Sequence, residues 1–199
     1  MDMFERMSAG LEYVADDPRI AAANTWAIAL ADRYNATAPD ASDLRHELLV
    51  ELLGSIGSDC ELRPPVRVDY GRNIFVGDRV FANYGLVALD VARITIGSDV
   101  QIGPQVQLLT PTHPVAPERR RAKWESAQPI TIGANVWLGG GVIVCPGVTI
   151  GPDTVVGAGS VVTRDLPERV VAVGNPARVV RRIDDEPSES PQRTRPRGE

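Results

Sequence analysis

Aliphatic residues recur at every sixth position between Pro129 and Arg164: Ile132, Leu138, Val144, Ile150, Val156 and Val162. A second series, Val136, Val142, Val148, Thr154 and Ser160, holds only small or β-branched residues, and glycine follows the aliphatic position at 133, 139, 151 and 157. A period of six fits neither an amphipathic helix at 3.6 nor the unbroken alternation of a long strand. It predicts strands of two or three residues, each ended by a turn and stacked as a solenoid. One aliphatic residue per strand would point inward, with Gly and Asn at the corners taking up positive φ.

The same pattern begins earlier. Val68, Ile74, Val80 and Leu86 are six apart, and a shifted series restarts at Ile96, Ile102 and Leu108. The step from Leu86 to Ile96 is not a multiple of six, so a bulge or longer corner is expected around Asp90-Val91-Ala92. Residues 109–129 are polar, contain proline and show no period, which predicts a loop thrown out of the solenoid. A loop of that length in a compact repeat domain is usually functional.

Before the solenoid the spacing is helical. Met3, Phe4, Met7, Leu11 and Val14 predict a short helix over 3–13. Asp16-Asp17-Pro18 can start a second, running to about Tyr34 with Ile20, Ala23, Ala27, Leu30 and Ala31 on one face. A third, capped by Asp40 or Ser42, runs through Leu53 to a stop at Gly54. The expected organisation is a helical segment 1–58, a solenoid 59–183 with its excursion at 109–129, and a tail 184–199. The tail has no apolar residue and is expected to be disordered.

Composition narrows the function. Twenty-one basic against 26 acidic residues give a formal charge of −5, which argues against nucleic acid as a partner. No apolar run approaches the roughly 20 residues that span a bilayer. The start, Met1-Asp2-Met3-Phe4-Glu5, is unlike a signal peptide, so a soluble cytoplasmic protein with no membrane partner is expected. Cys60 and Cys145 have no metal-ligand spacing and suit free buried thiols.

Only two histidines are present. His46 falls in the third predicted helix and suits a solvated surface. His113 sits between Thr112 and Pro114 in the excursion, where it is either solvated or a general base near neutral pH. Too few ligands cluster for zinc, so no metal is expected. P-loop, dinucleotide and nucleophile-elbow motifs are absent. Gly139-Gly140-Gly141 lies within the hexads and suits a tight corner.

The run Pro129–Gly139 with Pro146-Gly147-Val148-Thr149-Ile150-Gly151 resembles the hexapeptide-repeat acyltransferases. Asp69–Ile74, Phe81-Ala82-Asn83-Tyr84, Leu89-Asp90, Thr112-His113-Pro114, Gly174–Arg178 and Met7–Tyr13 narrow the resemblance to the maltose, galactoside and nodulation-type sugar O-acetyltransferases. It covers about residues 5–183. The resemblance implies a mainly β fold, a left-handed parallel β-helix with an N-terminal helical cap, assembled as a homotrimer with acetyl-CoA between neighbouring subunits. It implies acetyl transfer to a hydroxyl of a sugar or sugar-like acceptor, with His113 as general base and no acyl-enzyme.

Acceptor-side positions carry over to Asp17, Asp69, Asn83, Asp90 and Glu125. Corner capping is an equal reading for Asp69 and Asp90, and Val91 departs from the second acid of the galactoside enzymes. Coenzyme-side positions carry over to Asn83, Trp137, Gly140, Ala158, Thr163, Arg164 and Arg178, the guanidinium groups suiting phosphates. Plain packing is the alternative for Gly140, Ala158 and Trp137. The rival functions are acetylation of an amine or antibiotic by the same fold, and a non-catalytic trimeric scaffold.

Overall fold

Short parallel strands wind into a three-faced solenoid in the computed structural model, which describes residues 1–183; the disorder expected for 184–199 lies outside them. The first face stacks Ser55–Ile56, Ile74–Val76, Ile94–Ile96, Ile130–Ile132 and Thr149–Ile150. The second stacks Glu61–Leu62, Phe81–Ala82, Gln101–Ile102, Trp137–Leu138, Val155–Val156 and Val170–Val173, closed by the antiparallel Arg178–Arg182. The third stacks Val66–Val68, Leu86–Leu89, Gln107–Leu109, Ile143–Val144 and Val161–Val162.

Register shows where the period of six holds. Ile96, Ile102 and Leu108 occupy matching inward positions on successive faces, as do Ile132, Leu138 and Val144 one turn later. The passage from the third face back to the first is the exception. It takes eight residues from Val68 to Val76 and from Ala88 to Ile96, 24 from Leu108 to Ile132, and six again from Val144 to Ile150. All the irregularity therefore lies along one edge of the prism. The bulge expected near Asp90 is there, but the apparent series Val68, Ile74, Val80, Leu86 mixes two positions. Leu86 lies beside Val66, and Ile74 beside Ile94.

The interior is a column of aliphatic side chains, with Ile94, Val100, Leu108, Ile130, Val136, Leu138, Ile150 and Val162 fully buried. Thr154 and Ser160 share that burial because their hydroxyls are satisfied by the Pro167 carbonyl at 2.8 Å and the Gly157 carbonyl at 2.6 Å.

The hexad glycines have a different purpose from the one expected. Gly133, Gly139, Gly151 and Gly157 do not adopt positive φ; that conformation is taken at corners by Arg79, Asp99, Gln105, Asn135 and Asp153, and by Gly141, Gly147 and Gly159. What Gly97 and Gly133 allow is close stacking of backbone on backbone. A Cβ on Gly97 would meet the Ala134 nitrogen at 2.6 Å, and one on Gly133 the Pro152 nitrogen at 2.6 Å. Gly97→Ala is therefore expected to cost about 2–3 kcal/mol, read as an earlier urea midpoint at fixed protein concentration.

The helical segment caps the first turn. Helix α1 spans Met3–Ser8, shorter than expected because Gly10, at φ +71°, turns the chain into the strand Tyr13–Val14. Helix α2 spans Pro18–Asn35, with the Asp17 carboxylate accepting from the Arg19 N–H. It closes the solenoid end: Tyr34 donates its hydroxyl to the Leu62 carbonyl, and Asn35 exchanges two hydrogen bonds with the Val66 backbone. Helix α3 spans Ser42–Leu52, starting at Ala41 without a side-chain cap, so neither Asp40 nor Ser42 has the expected role. Gly54 is a close-approach position against the Arg72 carbonyl and Phe75 ring, not a helix cap.

The excursion is more ordered than its sequence suggests. It holds the strand Pro111–Thr112, helix α4 over Pro117–Arg121, and the strand Trp124–Ala127. Trp124–Ala127 pairs antiparallel with Pro111–Thr112 on one side and with Tyr13–Val14 on the other. The N-terminal segment is thereby tied to the excursion.

Candidate active site

Two concave surfaces carry half of the expected site residues, and they share no lining residue. The first, about 510 Å³, lies where the excursion meets the N-terminal strand. Val14, Ala15, Asp16, His113, Arg120, Lys123 and Glu125 line it. His113 is exposed, one residue beyond the strand Pro111–Thr112, which aims the loop tip into this space. The second, a groove of about 430 Å³, runs down the second face and its corner with the third. Phe81, Asn83, Gln101, Trp137, Gly140, Val155 and Ala158 are among its walls. Small residues at Gly140 and Ala158 leave the wall shallow enough for an extended chain to lie against it.

The turn Asp69–Asn73 is held by a buried acid. Asp90 is 0% exposed. One carboxylate oxygen accepts from the backbone N–H groups of Asp69 (3.0 Å) and Tyr70 (2.8 Å), the other from that of Asn73 (3.1 Å). Burial pushes its pKa up, and the backbone donors oppose that rise. Asp90 is thus buried and occupied in holding the Asp69–Asn73 corner. The capping alternative is the one observed for it.

Asp69, set by that corner, keeps a partly open carboxyl. Burial, then the charge of Asp90 and then that of Glu125, raise its pKa to about 6. The same surroundings raise the phenol of Tyr70 to about 12 and that of Tyr13 further still, burial being the largest cause in both. Glu125, the cross-strand partner of Tyr13, adds its charge to that rise. Asp69, Glu125, Tyr13 and Tyr70 therefore form one electrostatic group, of which Glu125 lines the pocket.

The raised Asp69 pKa makes a stability prediction. The folded chain binds this proton more tightly than the unfolded chain, so stability falls as pH rises from the ordinary 3.8 to about 6, and stays lower above it. Asp69→Asn is expected to raise stability at pH 8 by about 1 kcal/mol, the full shift being discounted for partial exposure. The gain should vanish in urea melts at a pH below about 4.

The remaining expected residues divide. Glu125 and His113 come together in the first pocket. Asp17 does not join them: its carboxylate caps α2 and pairs with Arg19 at 2.7 Å, and the adjacent Asp16 faces the pocket instead. Asn83 lies on the groove, beside inward-pointing Ala82, with its Oδ1 accepting from the Tyr84 N–H at 2.8 Å. It faces outward, so the cost of an amide inside the solenoid does not arise. Trp137 is 56% exposed on the groove and does not pack under the excursion.

Thr163, Arg164 and Arg178 are exposed but line neither surface; Arg178 donates to its neighbour Ala177 O at 2.8 Å. Asp16, Arg120, Lys123 and Gln101 join the two surfaces although the hydrophobic period gives no sign of them. Among the described residues no group of three or more His, Cys, Asp or Glu could hold a metal ion. None of their helices is long and apolar enough to cross a membrane.

Comparison with known proteins adds to this geometry. A family profile described as "Maltose acetyltransferase hexapeptide capping motif" matches residues 6–57, and one described as "Bacterial transferase hexapeptide (six repeats)" matches residues 129–164. Nodulation protein L of Rhizobium meliloti (strain 1021) is 49% identical over 175 residues, covering 88% of this chain and 96% of that protein. The crystal structure of a maltose O-acetyltransferase from Clostridium difficile 630 superposes with a TM-score of 0.90 at 43% identity, covering 92% of this chain and 98% of that one. A galactoside acetyltransferase in complex with coenzyme A superposes with a TM-score of 0.89 at 39% identity, covering 93% and 92%.

Proposed function

This chain belongs to the hexapeptide-repeat sugar O-acetyltransferases, the family of the maltose and galactoside acetyltransferases, and from that premise we propose how its residues divide the work. Acetyl-CoA lies in the groove of Asn83, Trp137, Gly140 and Ala158. The sugar-like acceptor occupies the pocket of His113, Asp16 and Glu125, with Asp69 electrostatically coupled to Glu125. Arg164 and Arg178, exposed and cationic, meet the coenzyme phosphates, and Thr163 lies beside them.

The acceptor hydroxyl attacks the thioester carbonyl while its proton passes to the His113 imidazole. The carbon–sulfur bond then breaks, the thiolate takes that proton, and an acetyl ester and free coenzyme leave. Transfer is direct, with no enzyme acyl intermediate; among the described residues neither surface is lined by Ser or Cys. Carboxylates around the acceptor accept hydrogen bonds from sugar hydroxyls.

The observation that carries this reading is the separation of the two surfaces on one chain. An imidazole on one edge and a groove on another face complement each other when the excursion of one subunit reaches the groove of the next. A closed homotrimer supplies that contact three times over by heterologous interfaces. We place the enzyme in the cytoplasm, where its coenzyme is made.

The test is a panel of sugars, amino sugars and aminated drugs incubated with acetyl-CoA, following thiol release and assigning the acetylated position by NMR. Ester products on hydroxyls are expected. Amide products alone, or no turnover with any sugar, would overturn the assignment of the acceptor.

A further inference from the structure

We propose that Arg120 is a positioning residue for His113, an inference that rests on the general-base reading above. Its guanidinium donates from one nitrogen to the Pro114 carbonyl at 3.0 Å and to the Val115 carbonyl at 3.0 Å. These are the two residues directly after His113. Among the described residues neither carbonyl receives a backbone N–H. Pro114 has no N–H of its own to offer. The tip that carries the imidazole thus leaves the strand Pro111–Thr112 and is held next by this one side chain.

Helix α4 explains how Arg120 is aimed. It presents Arg119, Arg120 and Arg121 in succession, each turned about 100° from the last. Arg119 points to the N-terminal segment, where it pairs with Glu12 at 2.8 Å and lies 5.4 Å from the centre of the Trp124 ring. Arg6 approaches the same ring at 5.9 Å. Arg121 pairs along the helix with Glu118. With Arg119 and Trp124 anchored, the helix can rotate little, and its middle arginine faces the tip. What looks in the sequence like one solvated basic run has three separate duties. The N-terminal capping segment, through Glu12 and Arg6, becomes part of the support of the base.

The contacts are exposed, so Arg120→Ala is expected to fold and bind acetyl-CoA as the parent does. Its effect should fall on kcat, ten- to hundredfold down, because a small misplacement of a catalytic group is costly in rate. The acceptor KM should change less than about threefold. Added methylguanidinium should restore part of the rate. The decisive measurement is the double variant: in a His113→Ala background, Arg120→Ala should lower the residual rate no further.

A rise in acceptor KM at unchanged kcat would make Arg120 an acceptor contact and overturn the proposal. So would additive losses in the double variant. If His113→Ala itself retains full turnover, the general-base reading fails first. If His113→Ala is inactive while Arg120→Ala keeps its kcat, only the positioning role falls.

Discussion

His113→Ala is expected to lower turnover by about 10²–10⁴ with acetyl-CoA affinity unchanged. The imidazole lines the pocket proposed for the acceptor, and none of the groove residues proposed to bind the coenzyme lies beside it in the chain. A loss confined to kcat is the signature of an interaction made only in the transition state. His113 is exposed on the excursion, so its removal leaves the solenoid core intact. Equilibrium binding of coenzyme A, measured by calorimetry alongside steady-state rates, separates the outcomes. Weakened coenzyme binding with kcat preserved would move the histidine from chemistry to coenzyme recognition. Unchanged turnover would leave a fold without the proposed base and favour a scaffold.

Mixing two inactive variants is expected to restore activity. His113→Ala lacks the base; Ala158→Glu, at an exposed position on the groove wall, would obstruct the coenzyme and repel its phosphates. In a trimer whose sites lie between subunits, every mixed trimer has one interface with both halves intact. Random reassembly of equal amounts makes about three quarters of the trimers mixed, each with one good site in three, so about one quarter of the parent rate should return. The assay needs only unfolding, mixing and refolding of the two proteins, with each variant refolded alone as reference. If each chain held a whole site, no activity would return on mixing.

Both experiments depend on features that differ in how far the sequence reveals them. The solenoid was legible because its repeat is a local rule. Ile132, Leu138 and Val144 each place one aliphatic side chain inward after a fixed number of residues, and parallel neighbours repeat the choice. The N-terminal helix Pro18–Asn35 was legible for the same reason, through its Asp17 cap and Pro18 start. The first turns misled because two residues are added at one edge, and a series six apart then crosses from one inward position to another.

The site was legible in part. His113 stood out as a polar residue on the one interruption of the repeat, and Glu125 was named through the family resemblance. Asp16 could not be told from Asp17, since both precede the helix and only the turn of the chain decides which caps and which faces the pocket. Asp90 is chemically suited to a sugar hydroxyl as much as to three backbone amides, and the amides claim it. Arg120 is one of three adjacent arginines whose directions follow from a five-residue helix that no period announces.

By itself, then, the order of residues determined the coil, its three inward columns and the place where it is interrupted, because those follow from contacts between neighbouring turns. Only the tertiary structure decided what the interruption becomes. A strand at Tyr13–Val14 pairs with one at Trp124–Ala127, and Glu12 meets Arg119, across more than a hundred residues of chain. Such pairings are selected by the packed whole, and no short-range pattern encodes which partner each strand or side chain takes.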